Sequence, residues 1–423
     1  MALAIHRSVV QNLNDTNQLD ANLGPSASRV AVNAKGTTVF TSCQNQVYTI
    51  PVPVTTTTEV PSTKPINHPN TNATPHRLHT HESPVQSIAT QYLSDQTILA
   101  SVDTFGRVKW SACTHSMEED VYANTLNNTL NNTSNTSNTS NTSNTSNTSN
   151  TSNTITRDTS ANIESGWSGL SLGPFNQMAV VQHFDRTLSI GNLHSGTTTF
   201  QSTAHLSGCP TDVGFCGGTQ SDSVGGQLVA TTENNAVVLY DLRQKNGGGA
   251  PAGRAQCGAP VSTHRQAPSF AHLRAIATPE TWPANILAAS DDRFVYTIEP
   301  RNWRVLRRWR TPLKYEPVGL LRSPSHSSLC YIAGLDNDIM CGNVGGPAQL
   351  GGDSNNNQDK KRKREFTQLQ MMFSTGFRGD GPWAGVAVRN VGDDSNDILY
   401  AVSQSCGLYV VEGATGLLDM RES

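Results

Sequence analysis

Two clusters of positive charge are the side chains in this sequence best suited to recognising a partner. The first is RNWRVLRRWR at residues 301–310, where five arginines are interspersed with two tryptophans. Arginine and tryptophan together suit phosphate pairing, base stacking or anchoring of an acidic protein surface. On an outer strand, the same charges would instead block unwanted strand addition, so both interpretations stay open. The candidate partner-binding residues are Arg301, Trp303, Arg304, Arg307, Arg308, Trp309 and Arg310.

The second cluster is an uninterrupted basic run flanked by Gly, Ser and Asn. It consists of Lys360, Lys361, Arg362, Lys363 and Arg364. An extended, accessible basic peptide is typical of a nuclear-import signal, so the run predicts an import receptor as a partner and a nuclear location. The alternatives are a nucleic-acid contact and a solvated run that no partner recognises. Without import, the protein is expected in the cytoplasm.

Motifs of catalysis and metal binding are absent from the sequence. It contains no G-x-S-x-G, no P-loop and no H-E-x-x-H. The adjacent carboxylates Asp291 and Asp292 fit a hairpin turn, where Asp is favoured for backbone reasons. His76, His79 and His81 have no nearby paired cysteine or carboxylate cage, so we interpret them as a chance cluster in a linker. The sequence therefore predicts a protein that is not an enzyme and has neither a cofactor nor a metal.

The overall composition narrows the class of partner. A net charge of −3 gives no whole-molecule attraction to nucleic acid or to an anionic membrane. No run approaches the roughly 18 apolar residues of a membrane span, and the first residues lack the apolar core of a signal peptide. The eight cysteines show no CxxC spacing, which favours a reducing compartment. We therefore expect a soluble intracellular protein that does not contact membranes.

One hairpin pattern recurs along the chain and predicts the elements that position these residues. Each copy is a short apolar strand, a turn through Asp, Asn, Gln or Gly, and a second alternating strand. The copies lie at 38–50, 97–110, 177–190, 227–243, 285–298, 328–344 and 397–411. Another strand precedes most copies, and a polar outer strand such as 304–310 follows some. The pattern predicts an all-β fold, a seven-bladed β-propeller that spans residues 1–423 as a single domain. A ring of six or eight blades, and a generic β-sandwich or barrel, are the alternatives.

Two of these units carry motifs that resemble those of the WD40-repeat family. VVLYDLR is similar to the family's V-x-(L/I)-W-D-L-R, with Tyr240 at the Trp position and with Asp241 and Arg243 in place. VDTFGRVKW resembles another family motif, with Asp103 and Trp110 in place. The family's Gly-His dipeptide is missing, and most units end without Trp-Asp, so the repeats are degenerate. The resemblance implies a WD40-like propeller that holds several proteins together.

Four polar segments interrupt the rhythm of the repeats. We predict disordered loop insertions at about 51–83, 111–165, 244–268 and 345–370. One of them contains seven consecutive Asn-Thr-Ser triplets, which we interpret as repeat expansion in a tolerant loop. The apolar segment 1–10 is expected to complete the last blade and so close the ring.

Three functional hypotheses follow from the sequence. The first is a non-enzymatic scaffold for protein–protein interactions, within a nuclear complex. The second is an RNA-binding, non-catalytic subunit of an RNA-processing or RNA-modifying complex, in which the arginines of 304–310 and the 360–364 run contact phosphates. The third, ranked last, is a propeller enzyme, which would require acidic or histidine side chains to converge on the central channel.

Overall fold

The described part of the chain forms seven antiparallel sheets of four strands each. The computed structural model describes residues 7–12, 30–33, 35–52, 75–93, 96–114, 153–155, 166–173, 176–193, 200–216, 227–241, 251–257, 272–278, 284–344, 376–390, 397–405 and 407–417. The first strand is β1 (Arg7–Asn12).

The remaining strands follow in chain order, blade by blade. Blade one contains β2 (Val30–Val32), β3 (Thr38–Cys43), β4 (Gln46–Pro51) and β5 (His76–Thr80). Blade two contains β6 (Val85–Leu93), β7 (Gln96–Asp103), β8 (Val108–Thr114) and β9 (Asn153–Ile155). Blade three contains β10 (Ser168–Leu172), β11 (Gln177–Gln182), β12 (Thr187–Asn192) and β13 (Phe200–His205). Blade four contains β14 (Pro210–Cys216), β15 (Gln227–Thr232), β16 (Ala236–Asp241) and β17 (Gly253–Gln256).

The last three blades complete the set. Blade five contains β18 (Leu273–Ala277), β19 (Ile286–Ser290), β20 (Phe294–Glu299) and β21 (Arg304–Arg310). Blade six contains β22 (Pro317–Arg322), β23 (Leu329–Gly334), β24 (Asp338–Asn343) and β25 (Phe377–Arg378). Blade seven contains β26 (Trp383–Asn390), β27 (Asp397–Ser403) and β28 (Gly407–Val411), followed by a short 3-10 helix, Ala414–Leu417. No helix among the described residues is long and apolar enough to cross a membrane.

The ring is closed by strands from opposite ends of the described chain. β1 pairs antiparallel with β28 and is the outermost strand of blade seven, with Ser8 opposite Val410 and Asn12 opposite Gly407. This confirms the predicted closure, although the strand begins later than the segment 1–10. Each blade's first strand contacts the first strands of both neighbours, and β2 contacts both β6 and β26. The fold is therefore the predicted seven-bladed β-propeller.

The core lies between the blades. Seven clusters of buried apolar side chains occur in the described residues, and each draws on two adjacent blades. The cluster between blades one and seven packs Ile50 against Tyr400 and Val402, all almost fully buried. This arrangement explains the hairpin pattern, because the middle strands of a blade bury both faces and read as near-continuous apolar runs.

The structure corrects the boundaries of the predicted insertions. Segment 51–83 contains β5, segment 111–165 contains the end of β8 and all of β9, and segment 244–268 contains β17. These outer strands read HRLHT, NTI and GRAQ. An outer strand has one neighbour and a solvent-facing side, so it lacks the apolar pattern that identifies a strand in sequence. Apart from a few residues beside these strands and at the end of β4, the rest of these segments, and all of 345–370, lies outside the described residues.

The two faces of the ring differ in what they carry. The turn between the second and third strands of a blade hydrogen-bonds to the residue before that blade's first strand. Examples are Glu233 N–H to the Cys209 carbonyl at 2.9 Å and Leu335 N–H to the Glu316 carbonyl at 3.0 Å. The turns between second and third strands, and the connections that lead into first strands, therefore lie on one face. We call it the turn face. Since neighbouring strands are antiparallel, the third strand of a blade ends and the fourth begins on the opposite face, as Thr114 and Asn153 do in blade two.

Candidate functional site

A cavity of about 540 Å³ occupies the centre of the ring. Its inner wall is largely apolar and is built from first strands of several blades. Wall residues include Val30, Ile276, Leu320 and Val386. First strands point one row of side chains at the ring axis, so residues far apart in sequence share this cavity. The cavity is thus a property of the assembled ring.

Polar and aromatic side chains converge where this cavity opens on the turn face. We call this set the channel mouth: Trp167, His183, Asp212, Glu233, Arg274 and Glu316. Each lies in a turn after a second strand, just before a first strand, or within the first residues of one. Acidic and histidine groups therefore do converge on the channel, which is the arrangement that the enzymatic hypothesis requires.

One histidine–carboxylate contact and one ion pair organise the channel mouth. His183 Nε2 lies 3.3 Å from Glu233 Oε1 and joins blade three to blade four. Arg274 Nη2 lies 3.2 Å from Glu316 Oε2 and joins blade five to the start of blade six. These four side chains are 17–39% exposed, so water screens the pairs only in part. The pairs fix the side chains in place around the opening.

Asp212 holds a third carboxyl group at the channel mouth. Its Oδ1 accepts a hydrogen bond from Val213 N–H and its Oδ2 accepts one from Ile276 N–H, both at 2.8 Å. Burial raises the pKa of Asp212 to about 7, against the effect of the two backbone donors. Near neutral pH this carboxyl group can therefore be protonated or ionised. A charged ligand bound nearby would shift its pKa.

Two exposed aromatic residues stand beside the channel mouth. Phe184 is 67% exposed and Tyr315 is 52% exposed. Each is next in sequence to a residue of the mouth, His183 and Glu316 respectively. The Phe184 ring contacts the His183 ring edge-on, with 5.2 Å between centroids. Exposed rings of this kind are unfavourable in water and are enriched where proteins bind partners.

One group of side chains in the described residues has the composition of a metal site. The ligand atoms of His183, Cys209 and Glu233 all lie within 4.8 Å of one another. Cys209 immediately precedes β14, so the group spans the junction of blades three and four on the turn face. All three residues are partly exposed, which leaves the group accessible from solvent.

The tryptophans and arginines of the predicted patch differ in their burial. Trp309 is buried at 8% exposure, and its indole N–H donates to Thr297 Oγ1 at 3.1 Å. Trp303 is half-buried and lies against Gly253, where a Cβ atom would meet its ring. Both tryptophans therefore pack within the propeller, and Trp309 in particular is not presented to a partner.

Neighbouring acidic or aromatic groups engage several arginines of the patch. Arg308 Nη2 donates to Asp292 Oδ2 at 2.8 Å, and its guanidinium lies 3.6 Å from the Phe294 ring centroid. Arg304 Nε lies 3.7 Å from Glu299. The Arg307 guanidinium lies 5.5 Å from the Trp309 ring centroid, and Arg301 and Arg310 are exposed. This geometry supports edge protection by β21 more than phosphate binding by a free arginine cluster.

The residues of the WD40-like motifs are structural. Trp110 packs in the core between blades two and three, and Tyr240 packs between blades three and four. Burial raises the pKa of Tyr240 to about 12. Asp241 ends β16 and is half-buried. Arg243 and the predicted import residues Lys360, Lys361, Arg362, Lys363 and Arg364 lie outside the described residues.

Asp103 belongs to a buried hydrogen-bond network in blade two. Its Oδ1 accepts from the backbone N–H groups of Phe105 and Arg107, at 3.0 and 2.9 Å. Burial alone would raise the pKa of Asp103, but the neighbouring His81 ring and the hydrogen bonds from Arg107 outweigh it and hold the pKa below its usual value. The carboxylate thus fixes the tight turn between β7 and β8.

Two histidines join this network, contrary to the prediction that they belong to a linker. His79 lies in β5 and His81 follows it, and both are almost fully buried. The Nε2 atoms of both rings lie 2.7 Å from Ser101 Oγ. His81 Nδ1 faces Asp103 at 3.8 Å. The histidines are therefore part of the packing between blades one and two.

No motif in the sequence predicts the channel mouth. His183, Cys209 and Glu233 are more than 20 residues apart in succession, and each type occurs in many ordinary turns. The one usable signal was positional, since His183 and Glu233 each lie in the turn of a predicted hairpin. Comparison with known proteins adds no assignment: no protein-family model matches the chain, and no curated protein sequence is similar to it.

Proposed function

We propose that this protein is a diverged WD40-like scaffold without catalytic activity, and that it assembles protein partners within a nuclear complex. Seven blades of four strands and closure by β1 support the family assignment, as does VVLYDLR in and after β16. Propellers commonly serve as interaction platforms because a rigid ring presents broad faces. The mouth's charged groups bond to one another or to backbone amides, which supports binding over catalysis.

The observation that carries the proposal is the pair of exposed aromatic residues beside a charged opening. Phe184 and Tyr315 flank the channel mouth on the turn face. Aromatic side chains at the centre of an interface contribute much of its binding energy. A partner segment that covers these rings and inserts a side chain into the cavity would bury both apolar and polar groups.

The charges of the channel mouth favour a basic partner side chain. Asp212, Glu233 and Glu316 bring three carboxyl groups to the opening, whereas Arg274 brings one positive charge. A lysine or arginine of the partner would find acceptors there and aromatic rings at the rim. The partner proposed is therefore a protein with an exposed basic segment.

The proposal is tested by affinity purification of the tagged full chain and a Phe184→Ala/Tyr315→Ala variant. We expect the partners recovered with the wild type to fall at least about tenfold with the double variant, since each interface aromatic contributes about 1–3 kcal/mol. Leu306→Ala is the matched control, because Leu306 is also exposed, at 40%, but lies on the outer strand β21. Equal loss with the control would contradict the assignment to the turn face.

Nuclease treatment distinguishes this proposal from RNA binding. Partners held by the channel mouth should survive digestion of RNA and DNA. If the recovered partners disappear with nuclease, and the unmodified chain is retained on a polyanion column with a steep salt dependence, RNA binding replaces the scaffold proposal. Nuclear import is tested separately by changing residues 360–364 to alanine and comparing the nuclear fraction of the two chains.

A further inference from the structure

We propose that His183, Cys209 and Glu233 form a binding site for a divalent transition metal, with Zn²⁺ as the best-suited ion. The site stands on its own geometry and does not depend on the scaffold proposal. It lies at the junction of blades three and four, beside the channel mouth. The three ligand atoms come from three separate segments of the chain and meet within 4.8 Å.

The orientation of His183 is the first argument for the site. Its Nδ1 lies 2.8 Å from the carbonyl oxygen of Pro210. A carbonyl only accepts hydrogen bonds, so Nδ1 carries the proton and the free electron pair of the neutral ring belongs to Nε2. Metal-binding histidines characteristically donate their second ring N–H to such a carbonyl. The backbone therefore presents Nε2 in the form that binds a metal.

The neighbour of that nitrogen is the second argument. Glu233 Oε1 lies 3.3 Å from His183 Nε2. Two electron pairs at this distance repel each other unless a positive charge lies between them, either a proton on Nε2 or a metal ion. Ligand atoms bound to one zinc ion at about 2.0–2.3 Å are themselves 3–4 Å apart. The observed distance is thus already that of two ligands of one ion.

The backbone around the site holds its three ligands in place. Glu233 N–H donates to the Cys209 carbonyl at 2.9 Å, and the Glu233 carbonyl lies 2.5 Å from His272 Nδ1. His183 N–H donates to the Trp167 carbonyl at 2.9 Å. A preorganised set of ligands binds a metal without first paying the entropy of ordering loops.

The set of donor atoms favours zinc. Imidazole nitrogen, thiolate sulfur and carboxylate oxygen are all zinc ligands, whereas Mg²⁺ and Ca²⁺ require oxygen donors. Three protein ligands leave the fourth tetrahedral position open. Because all three residues are partly exposed, that position is accessible to water or to a side chain of a bound partner.

The test is metal binding by the purified full chain, using Zn²⁺ and Co²⁺ as probes. After chelator treatment and dialysis, we expect one Zn²⁺ per chain to bind in a site that Cys209→Ser, His183→Gln and Glu233→Gln each weaken by more than about tenfold, since even supporting residues of metal sites have effects of 10–100-fold. With Co²⁺, we expect an ultraviolet thiolate-to-cobalt charge-transfer band that Cys209→Ser abolishes.

Matched variants elsewhere in the chain control for metal binding by other histidines and cysteines. His205→Gln changes an exposed histidine of β13, and Cys113→Ser changes a partly exposed cysteine of β8. Neither should change affinity or the cobalt spectrum. Circular dichroism establishes that each variant is folded, and Glu233→Gln provides a nearly isosteric variant if Cys209→Ser is unstable. Unchanged Zn²⁺ affinity in the folded ligand variants, or no charge-transfer band, would overturn the site.

Discussion

At the scale of single residues, His79 is expected to make the stability of the protein depend on pH. Burial, with the nearby charges of His81 and Lys109, lowers the pKa of His79 from 6.5 to about 3. Between these values the unfolded chain binds a proton that the folded chain does not, so stability falls as the pH drops below 6.5. From pH 7 to pH 5 the expected contribution is a loss of about 2 kcal/mol.

The measurement is urea unfolding of the wild type and His79→Gln at pH 7 and pH 5. The variant should lose less stability between the two pH values, because glutamine does not titrate. His205→Gln removes an exposed histidine and should behave as the wild type does. If His79→Gln and the wild type lose equal stability on acidification, the buried neutral histidine is not the cause.

The buried aromatic residue of β21 should contribute much more to stability than its exposed arginines. Trp309→Ala removes a buried ring and the hydrogen bond to Thr297, so it should cost about 3–5 kcal/mol. Arg310→Ala, one residue along the same strand, removes an exposed side chain and should change stability by less than about 0.5 kcal/mol. Chemical denaturation of the two variants gives both values. Equal stabilities would mean that Trp309 is not buried as described.

These residues also mark what the sequence could and could not predict. Trp309 was named as a candidate for partner binding because composition alone does not say which side of an edge strand faces the core. A bulge between Thr297 and Ile298 shifts the register of β21 against β20, so simple alternation gives no sure assignment. The channel mouth was missed for another reason, since its members meet only when the blades are arranged in a ring.

At the scale of elements, β1 is expected to hold blade seven together. Removing residues 1–12 leaves the edge of β28 unpaired and the ring without its closing strand. At about 0.5–1.5 kcal/mol for each lost hydrogen bond, the chain should lose more than about 2 kcal/mol. Its open edge should also favour aggregation.

The appropriate comparison is a chain lacking only residues 1–6, which lie before β1. Thermal unfolding and light scattering of both shortened chains distinguish loss of β1 from loss of preceding residues. The first chain should unfold at a lower temperature and scatter more light than the second. The same behaviour in both would show that pairing of β1 with β28 adds nothing to stability.

The middle strands of each blade were predictable and several outer strands were not, for one physical reason. A middle strand such as β19 (ILAAS) is buried on both faces, so its apolar run is required by packing. The outer strand β17 (GRAQ) needs only backbone pairing with β16 and one inward-facing side chain, Ala255. Many sequences satisfy that requirement, and they resemble loops. The insertions predicted from the sequence therefore included these outer strands.

At the scale of the whole molecule, the turns between second and third strands lie on one face of the ring, whereas third strands end and fourth strands begin on the other. Repetition in the sequence predicted seven blades because each hairpin has the same internal pattern. It did not predict the two faces, which depend on the direction of every strand. This polarity leads us to expect that segment 115–152 is dispensable for folding and for partner binding at the channel mouth.

That expectation is tested by replacing 115–152 with an eight-residue Gly-Ser linker. Trp110 pairs with Asn153, so the linker must span the four residues from Trp110 to Thr114, about 13 Å. An eight-residue flexible chain reaches about 16 Å on average. Because a shorter loop loses less entropy on closure, the shortened protein should be more stable by about 1 kcal/mol.

The shortened chain should also recover the same partners as the wild type, whereas Phe184→Ala/Tyr315→Ala should not. Combining the two changes gives the decisive comparison, since loop removal should neither rescue nor worsen the aromatic double variant. Partner loss on removal of 115–152 alone, in a chain that still unfolds cooperatively, would move the binding surface to the opposite face. In that case the exposed rings at the channel mouth would need another explanation than partner binding.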